Sequence, residues 1–339
     1  MRLIKTEDAV GHVLCHDMTQ IIKDQYKDAR FRKGHVVTEE DIPVLLSMGK
    51  EHLYVWEMTS GMVHENDAAE RLLALCGQEN MIRSGVKEGK IELKAACDGV
   101  FLVDSARLVA VNSQDEVMIA TRKGGMAVRE GDKLAGMRVI PLIIEEEKLR
   151  KAEQAAGDKP LLSLKPYVRK TACIVATGGE VKKGLIKDTF TPVVIDKLKT
   201  YGIETLEVVY SGDGVENVRD AVLAMREKKP DMILCTGGMS VDPDDNTPGG
   251  IKAAGANIIA YGAPVLPGAM FLLGYFDDGM PVMGLPGCVM YAGATVFDLV
   301  LPKIAADVPV TRADLAALGE GGLCLGCKPC HYPLCPFGK

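Results

Sequence analysis

Residues 236–246, TGGMSVDPDDN, combine two adjacent glycines with a cluster of carboxylates directly after an apolar run, DMILC. Gly237 and Gly238 would let the backbone turn sharply at the end of a strand and approach a ligand closely. Exposed backbone N–H groups at such a turn can surround phosphate oxygens. The stretch therefore predicts a binding loop for a small molecule that carries phosphate.

The carboxylates of this loop have two interpretations. Carboxylates beside a phosphate repel it unless a hard cation lies between them, and Mg²⁺ prefers one or two carboxylates together with phosphate oxygens and water. Asp242 and Asp245 are then the candidate Mg²⁺ ligands. Alternatively, the stretch is a solvated turn that leads into a helix with Thr247 as N-cap and Pro248 at the first position. The helix cap is compatible with both interpretations.

Two further segments place a similar pattern after apolar runs. The segment TGGEVKKGLIKDT begins at Thr177 and carries Glu180 and Asp188, with lysines between them. The segment LPGCVMYAG begins at Leu285 and follows the apolar run MPVMG. The candidate chemistry of this chain is therefore concentrated in three glycine-containing loops, each at the end of a predicted strand.

Four cysteines near the C-terminal end form the pattern C-x2-C-x2-C-x4-C-P: Cys324, Cys327, Cys330 and Cys335. The spacing differs by one residue from the ferredoxin run that binds an Fe–S cluster. Tetrahedral zinc is a second interpretation, with four thiolates or with three thiolates and His331. A metal-free, flexible thiol tail is the third. The tail is also a candidate contact for a protein partner.

The composition is that of an ordinary globular protein. The chain has 339 residues and a formal net charge of −6, with 25% charged and 47% hydrophobic residues, which argues against nucleic-acid binding. We expect a cytoplasmic protein, because no segment reaches the ~18 apolar residues of a membrane span and the first residues lack a secretory signal pattern. The remaining cysteines lie in apolar segments and are predicted to be small buried residues: Cys15, Cys76, Cys97, Cys173, Cys235 and Cys288.

Apolar runs alternate with helical segments from residue 171 onward. The strands ACIVAT, TLEVVY and DMILCT are separated by predicted helices near 189–201 and 215–229. This alternation predicts a doubly wound α/β domain, with a mostly parallel sheet covered by helices on both faces, over residues 166–312. Ligands bind such sheets at the carboxyl ends of the strands, which is where the glycine loops lie.

The N-terminal region, residues 1–165, is predicted to be mostly β, and a charged, proline-containing break at 145–166 separates it from the α/β domain. Short β-like runs include HLYVW, GVFLVD, LVAVN, EVMIAT and MRVIPLII, with one helix near ENDAAERLLALCG. The run GHVLCHD also reads as a strand and would place His12 and His16 on one strand face. We predict structural or surface roles for these histidines, because no obvious set of partner ligands accompanies them in the sequence. Residues 313–339 form the third predicted region, the cysteine-rich tail.

The ordered motifs TGGE, GLIKDT, PDMILCTGGMSVDPDD, PVLPGA and GLPGCVMYAG resemble the molybdopterin-binding domain of molybdenum-cofactor biosynthesis proteins, most of all the molybdopterin molybdenumtransferase family. The match spans about 173–305. The segments AVGHVLCHDMTQI and FRKGHVVTEEDIPVLLSMGKEHLYV are also similar to the opening portion of such proteins. The resemblance implies an α/β domain that binds molybdopterin or its adenylate, with Mg²⁺ and molybdate as participants in metal insertion.

Site residues follow from this resemblance by their place in the motifs. Asp188 and Asp245 take the catalytic positions. The glycine loop with Ser240 is expected to line the pterin phosphate, and the backbone of Pro286 and Gly287 to close the pocket. The full set of expected pterin-binding residues is Thr177, Gly178, Gly179, Glu180, Thr236, Gly237, Gly238, Ser240, Pro286 and Gly287.

Four residues depart from the family pattern and bear on the transferase reaction: Phe190, Asp242, Ala269 and Cys288. A protein of this kind that binds but does not turn over would be a carrier or sensor of the cofactor. A nucleotide pyrophosphatase is a further alternative, because related domains act on dinucleotides. The transferase resemblance also implies a homodimer.

Overall fold

The computed structural model describes residues 2–22, 26–55, 61–182, 184–243 and 245–339. By its internal contacts the chain divides into two compact units. Unit 1 comprises Met1–Ala96, Val103–Gly124 and Gly131–Ser163, and unit 2 comprises Cys97–Leu102, Gly125–Glu130 and Leu164–Lys339. Two short segments of the N-terminal half therefore belong to the C-terminal unit.

Seventeen strands and helices precede residue 170 in the described part of the chain. They are β1 (Arg2–Lys5), β2 (Met18–Ile22), β3 (Tyr26–Phe31), α1 (Asp41–Ser47), β4 (His52–Val55), β5 (Met62–His64), α2 (Glu65–Leu75), β6 (Met81–Arg83), β7 (Ile91–Ala95), β8 (Gly99–Val103), α3 (Ser105–Asn112), β9 (Val117–Thr121), β10 (Met126–Val128), β11 (Lys133–Val139), β12 (Ile143–Glu145), α4 (Glu146–Ala156) and β13 (Leu162–Pro166).

Strands and helices alternate after residue 170. They are β14 (Thr171–Thr177), α5 (Gly179–Lys182), α6 (Phe190–Lys199), β15 (Glu204–Ser211), α7 (Val215–Glu227), β16 (Met232–Thr236), α8 (Thr247–Ala253), β17 (Asn257–Tyr261), β18 (Leu272–Tyr275), β19 (Pro281–Leu285), α9 (Val296–Ala305) and α10 (Arg312–Ala317), with a 3-10 turn at Gly287–Met290.

Unit 1 contains an antiparallel sheet of order β6-β7-β11-β9, together with the strand pairs β1-β4, β2-β3 and β5-β12. The helix α2 packs on this sheet through β11. His64 is the N-cap of α2, because its side chain accepts a hydrogen bond from the N–H of Asn66. A separate small core beneath α1 is built by Ala9, Leu14, Met18, Phe31, Val37, Leu45 and Leu53.

Two strand predictions in the N-terminal half are wrong. The run LVAVN lies in α3, which Asp104 starts by accepting a hydrogen bond from the N–H of Arg107 at 3.1 Å. This helix buries Val111 and leaves Val109 64% exposed, so one face carries the apolar contacts. The run GHVLCHD forms only single bridges, at Val13 and Leu14, in place of a strand.

Unit 2 is built around a six-stranded sheet of order β15-β14-β16-β19-β18-β17. Strands β15, β14, β16 and β19 are parallel, β18 runs antiparallel to them, and β17 pairs antiparallel with β18 and so runs in the direction of the first four. Successive residues of β14 face two different cores: Ala172 and Ile174 pack with α6 and α9, whereas Cys173 and Val175 pack with α7 and α8. Burial on both faces explains the continuous apolar runs of these strands. The α/β class and the mostly parallel sheet are thus confirmed.

Among the residues that the structure describes, no helix combines the length and the apolar character needed to cross a bilayer.

Candidate functional site

Three loops leave the carboxyl ends of neighbouring parallel strands. Loop 1 (178–189) follows β14, loop 2 (237–246) follows β16, and loop 3 (286–295) follows β19. Residues 183 and 244 of these loops lie outside the described part of the chain. Because Thr236 pairs with Ala176 on one side and Leu285 on the other, the three strands end at one edge of the sheet. The sequence therefore predicted the common edge correctly.

Buried hydroxyl groups join loops 1 and 2 at their starting points. The Oγ1 of Thr177 donates to the carbonyl oxygen of Thr236 at 2.9 Å and lies 3.0 Å from the Oγ1 of Thr247. The Thr247 hydroxyl in turn donates to the carbonyl oxygen of Gly237 at 2.9 Å. Thr177 and Thr247 are 8% and 1% exposed, so these hydrogen bonds form in the absence of competing water.

The two glycines of loop 2 are required by this packing. Gly237 and Gly238 have φ angles of 82° and 58°, which are disfavoured for residues with a Cβ. A Cβ on Gly238 would lie 2.6 Å from the Oγ1 of Thr247, and one on Gly237 would overlap the carbonyl oxygen of Thr177. The backbone of loop 2 therefore approaches both threonines more closely than any other residue type allows.

Thr247 itself was predicted to be a helix N-cap, and this prediction is wrong by one position. The helix α8 begins at Thr247, with Asn246 as N-cap and Pro248 in the first turn. The Thr247 hydroxyl makes the tertiary hydrogen bonds described above in place of capping the helix. Its role was not visible in the sequence, because its partner Thr177 stands 70 residues away.

Asp188, a predicted catalytic residue, anchors the start of α6. Its Oδ1 accepts hydrogen bonds from the N–H groups of Phe190 and Thr191 at 2.9 and 3.0 Å. Its Oδ2 is buried and meets no partner at full hydrogen-bond geometry within the described residues, although the side chains of Thr191 and Tyr210 interact with the carboxylate. Burial by itself raises the pKa of this carboxyl, but hydrogen bonding from Thr191 and Phe190 outweighs it, and the pKa is lowered. Burial and the nearby Asp188 carboxylate raise the pKa of Tyr210.

Asp245, the other predicted catalytic residue, closes a turn within loop 2. Its Oδ2 accepts a hydrogen bond from the N–H of Ser240 at 2.9 Å, and its own N–H donates to the carbonyl oxygen of Asp242. Asp242 is exposed. The hydroxyl of Tyr261 donates to the carbonyl oxygen of Met239 at 2.9 Å, which fixes the loop from the other side.

Asp213 is a neighbouring carboxylate that sequence reasoning missed. Its Oδ2 accepts a hydrogen bond from the N–H of Gly179 at 3.0 Å, and a Cβ on Gly179 would lie 2.7 Å from that oxygen. Asp213 follows β15, a fourth parallel strand ending at the same edge. The signal was present in the sequence as a Gly-Asp-Gly turn after an apolar run. The side chain of Glu180 lies outside the described residues, so its predicted role stays a prediction.

Loop 3 begins with Pro286, whose carbonyl oxygen accepts from the N–H of Val289 in the 3-10 turn. Its end is fixed by α9, where Thr295 and Asp298 form a reciprocal capping box. The ammonium of Lys197 lies 2.5 Å from Asp298 Oδ1 and donates to the carbonyl oxygen of Gly293 at 3.3 Å. The start of α9 is thus tied to α6.

Cys288, one of the four departures from the expected motif, lies in the 3-10 turn of loop 3. Its side chain is half-buried. Burial raises the pKa of its thiol, more than nearby backbone N–H groups lower it. A thiol with a raised pKa is a poor nucleophile near neutral pH, which argues against a reactive role for Cys288.

The tail cysteines do not form a metal site in this structure. Cys327 and Cys330 are exposed, whereas Cys324 and Cys335 are half-buried. Across the described side chains, no group of three or more His, Cys, Asp or Glu residues is placed to hold a metal ion. The four thiols therefore do not fit an Fe–S cluster or tetrahedral zinc as they are arranged.

Two segments of the chain match known protein families. Residues 173–306 match the family described as "Probable molybdopterin binding domain", and residues 3–57 match a domain of unknown function. The CinA-like protein of Mycobacterium tuberculosis H37Rv is 33% identical over 76 residues, which are 22% of this chain and 18% of that protein. The CinA-like protein of Petrotoga mobilis is 32% identical over 76 residues, which are 22% of this chain and 19% of that protein.

Two solved structures are also similar to this chain. The protein CinA of Thermoplasma acidophilum aligns with a TM-score of 0.34 and 18% identity, over 40% of this chain and 98% of that one. The molybdopterin biosynthesis enzyme MoaB of Thermus thermophilus aligns with a TM-score of 0.36 and 16% identity, over 42% of this chain and 98% of that one. The chain spans less than a fifth of the length of the curated CinA-like relatives. The match to the probable molybdopterin-binding domain thus covers residues 173–306, and the three strand-end loops within this region form the candidate site.

Proposed function

We propose that the three loops bind molybdopterin or its adenylate and that the protein acts in molybdenum-cofactor assembly. The observation that carries the proposal is the packing of Gly237 and Gly238 against Thr177 and Thr247, inside the region that matches the molybdopterin-binding family. Glycine backbone held rigidly at the carboxyl end of a parallel strand is suited to phosphate binding.

The same proposal includes Mg²⁺-dependent insertion of molybdate. Asp188 supports it, because the lowered pKa of its carboxyl keeps it ionised and its buried Oδ2 meets no partner at full hydrogen-bond geometry among the described residues. Asp188 and Asp245 would hold the ion, and Asp242, exposed three residues before Asp245, would reach it through water. A bound Mg²⁺ would offset phosphate charge at these loops. The carboxylates of Asp188 and Asp245 also order their own loops through the hydrogen bonds described above.

The first test is binding. Protein purified anaerobically is analysed by mass spectrometry for pterin and by elemental analysis for metal, and is then titrated with molybdopterin released anaerobically from a molybdenum enzyme. We expect saturable binding that Gly237→Ala weakens. A protein that hydrolyses simple dinucleotides and has no affinity for the pterin would instead be a nucleotide pyrophosphatase, and the proposal would be wrong.

The second test is turnover. The protein is incubated with adenylylated molybdopterin, Mg²⁺ and molybdate, and AMP release and formation of active cofactor are followed. We expect Asp188→Asn and Asp245→Asn to reduce AMP release strongly while the protein stays folded. The matched control is Asp277→Asn, because Asp277 is exposed on the turn between β18 and β19 at the opposite edge. Binding without AMP release in the unmodified protein would favour a carrier or sensor.

A homodimer and a protein partner at the tail belong to this proposal as well. Sedimentation of the full chain at several concentrations checks the first, and cross-linking through Cys327 checks the second.

A further inference from the structure

The tail is attached to the core of unit 2 and is not a free extension. Phe337 is 2% exposed and belongs to the main hydrophobic core, with its ring 6.1 Å from that of Tyr332. A Cβ on Gly338 would overlap the side chain of Leu299 in α9. The end of the chain therefore packs directly on the helix that follows loop 3.

Backbone pairing fixes the beginning of the tail. The N–H of Leu266 donates to the carbonyl oxygen of Gly322, and the N–H of Cys324 donates to the carbonyl oxygen of Leu266, both at 2.8 Å. The N–H of Gly338 donates back to the carbonyl oxygen of Gly321, which closes the segment on itself. Both ends of the cysteine-rich segment are thus held.

Tyr332 supplies a hydrogen bond that α9 lacks. Pro302 lies inside α9 and has no N–H, so the carbonyl oxygen of Asp298, four residues earlier, receives no helical hydrogen bond. The hydroxyl of Tyr332 donates to this oxygen at 3.0 Å. Burial of Tyr332 raises the pKa of its hydroxyl, so it stays protonated and able to donate. The tail therefore completes the first turn of α9, directly beyond loop 3.

Cys330 contacts loop 3 itself. A Cβ built on Gly293 would lie 2.8 Å from both Cβ and Sγ of Cys330, so the two residues pack without space between them. The carbonyl oxygen of Gly293 is also the acceptor for Lys197. Loop 3 is thus held between α6 on one side and the tail on the other.

We propose that residues 322–339 are a brace that holds loop 3 in its binding conformation, with Cys330 and Tyr332 as positioning residues. The role of the brace in ligand affinity rests on the proposed function of the site. A loop that is already ordered loses less conformational entropy when ligand binds, so the brace raises affinity without touching the ligand. This role requires the contacts of Cys330 and Tyr332 but no metal.

The test compares hydrogen exchange in residues 286–294 with that in α7, using the full chain. The variant Gly293→Ala adds a methyl group that displaces Cys330. The backbone of Gly293 lies outside the left-handed region, so alanine adds no backbone strain there. We expect exchange in loop 3 to become about tenfold faster while α7 is unchanged. The double variant Gly293→Ala/Cys330→Gly removes both clashing atoms and should restore slow exchange. Tyr332→Phe should accelerate exchange in the same segment through the lost hydroxyl.

Affinity provides the second readout. Titration with molybdopterin should show affinity lowered about three- to tenfold in Tyr332→Phe, because a loop less firmly held before binding loses more conformational entropy when ligand binds. Cys327→Ala is the matched control for Cys330→Ala, since both thiols are exposed but only Cys330 is packed on Gly293. We expect Cys330→Ala alone to accelerate exchange in loop 3.

Two results would overturn the brace. One is unchanged exchange in loop 3 for both Gly293→Ala and Tyr332→Phe. The other is tight zinc or iron binding that slows exchange in loop 3 and is lost equally in Cys327→Ala and Cys330→Ala, which would make the tail a metal centre. If the unmodified protein does not bind molybdopterin, the proposed function fails, whereas the exchange experiment still decides whether the tail braces loop 3.

Discussion

The hydroxyl oxygens of Thr177 and Thr247 lie 3.0 Å apart in the interior of the candidate site, although the two residues are 70 positions apart in sequence. This contact joins the end of β14 to the start of α8, with the glycine pair of loop 2 between them. Each hydroxyl also donates to a backbone carbonyl oxygen, of Thr236 and Gly237 respectively. The two threonines therefore determine how closely loops 1 and 2 approach each other.

Thr247→Val should test this role, because valine has nearly the shape of threonine but lacks the hydroxyl. The carbonyl oxygen of Gly237 would lose its donor in a part-buried setting, which costs about 1–3 kcal/mol. We expect lower stability in urea and weaker pterin binding. Thr247→Ser keeps the hydroxyl and should retain most of the binding. Equal loss in both variants would indicate that the methyl group, and not the hydrogen bond, matters.

Gly237→Ala should be more damaging than an ordinary glycine substitution at positive φ. The control is Gly255→Ala, because Gly255 has a φ of 93° but no atom within 4 Å of an added Cβ. Both variants incur the backbone cost of about 1–2 kcal/mol, but only Gly237→Ala forces a Cβ against Thr177. Urea unfolding should therefore show the larger loss for Gly237→Ala. Similar losses would mean that the loop relaxes around the added methyl group.

Lys197→Met should destabilise unit 2, because it leaves Asp298 without its cation. The side chains of Lys197 and Asp298 are only 15% and 11% exposed, and removing one partner of a buried pair costs about 3–5 kcal/mol. Lys199→Met is the matched control in the same helix. Its partner Asp196 is 77% exposed, and exposed pairs contribute about 0–1 kcal/mol. Comparable unfolding midpoints for the two variants would contradict the view that the buried pair of Lys197 and Asp298 stabilises unit 2.

The buried Glu65 predicts a pH dependence in unit 1. Burial raises the pKa of its carboxyl above the ordinary value of 4.5, more than the Arg138 guanidinium lowers it. The folded state therefore binds the proton more tightly than the unfolded state. The stability contributed by this group is full below pH 4.5 and is lost as the pH rises through the higher folded-state pKa.

Glutamine does not titrate, so Glu65→Gln should not show this loss. The free energy of unfolding of the variant, relative to that of the unmodified protein, should therefore increase between about pH 4 and pH 7. Glu92→Gln is the control with the opposite sign, because a hydrogen bond from Lys90 lowers the pKa of Glu92. Urea unfolding at several pH values, with hydrogen exchange of α2 to identify the transition, checks both. Parallel trends in the two variants would refute the assignment.

The sheet of unit 2 was predictable because its strands are buried on both faces. The run ACIVAT contains no polar residue before Thr177, and only a strand covered on both faces requires such a sequence. The same argument located the loops at one edge. The hydroxyl contact between Thr177 and Thr247 was not predictable, because each threonine looks locally like a turn or cap residue.

Short apolar runs in the N-terminal half were less informative. The five residues LVAVN suit a strand by composition, but Asp104 caps a helix ahead of them, and the cap determines the outcome. The tail shows the same limit. The cysteine spacing predicted a metal site or a flexible segment. The tail is instead fixed by Phe337 and Tyr332, two single aromatic residues that form no recognisable sequence pattern.

The division of the chain into interleaved units affects the order in which the protein can fold during synthesis. Most of β8, within residues 97–102, and residues 125–130 belong to unit 2, yet they are synthesised before β13, beside which β8 lies in a three-stranded sheet. The hydroxyl of Tyr167, which donates to the carbonyl oxygen of Gly99 at 2.9 Å, also arrives later. Domains usually fold in turn as they leave the ribosome. Here β8 and β10 can pair with each other early, but their sheet lacks its third strand until residues 162–167 have emerged.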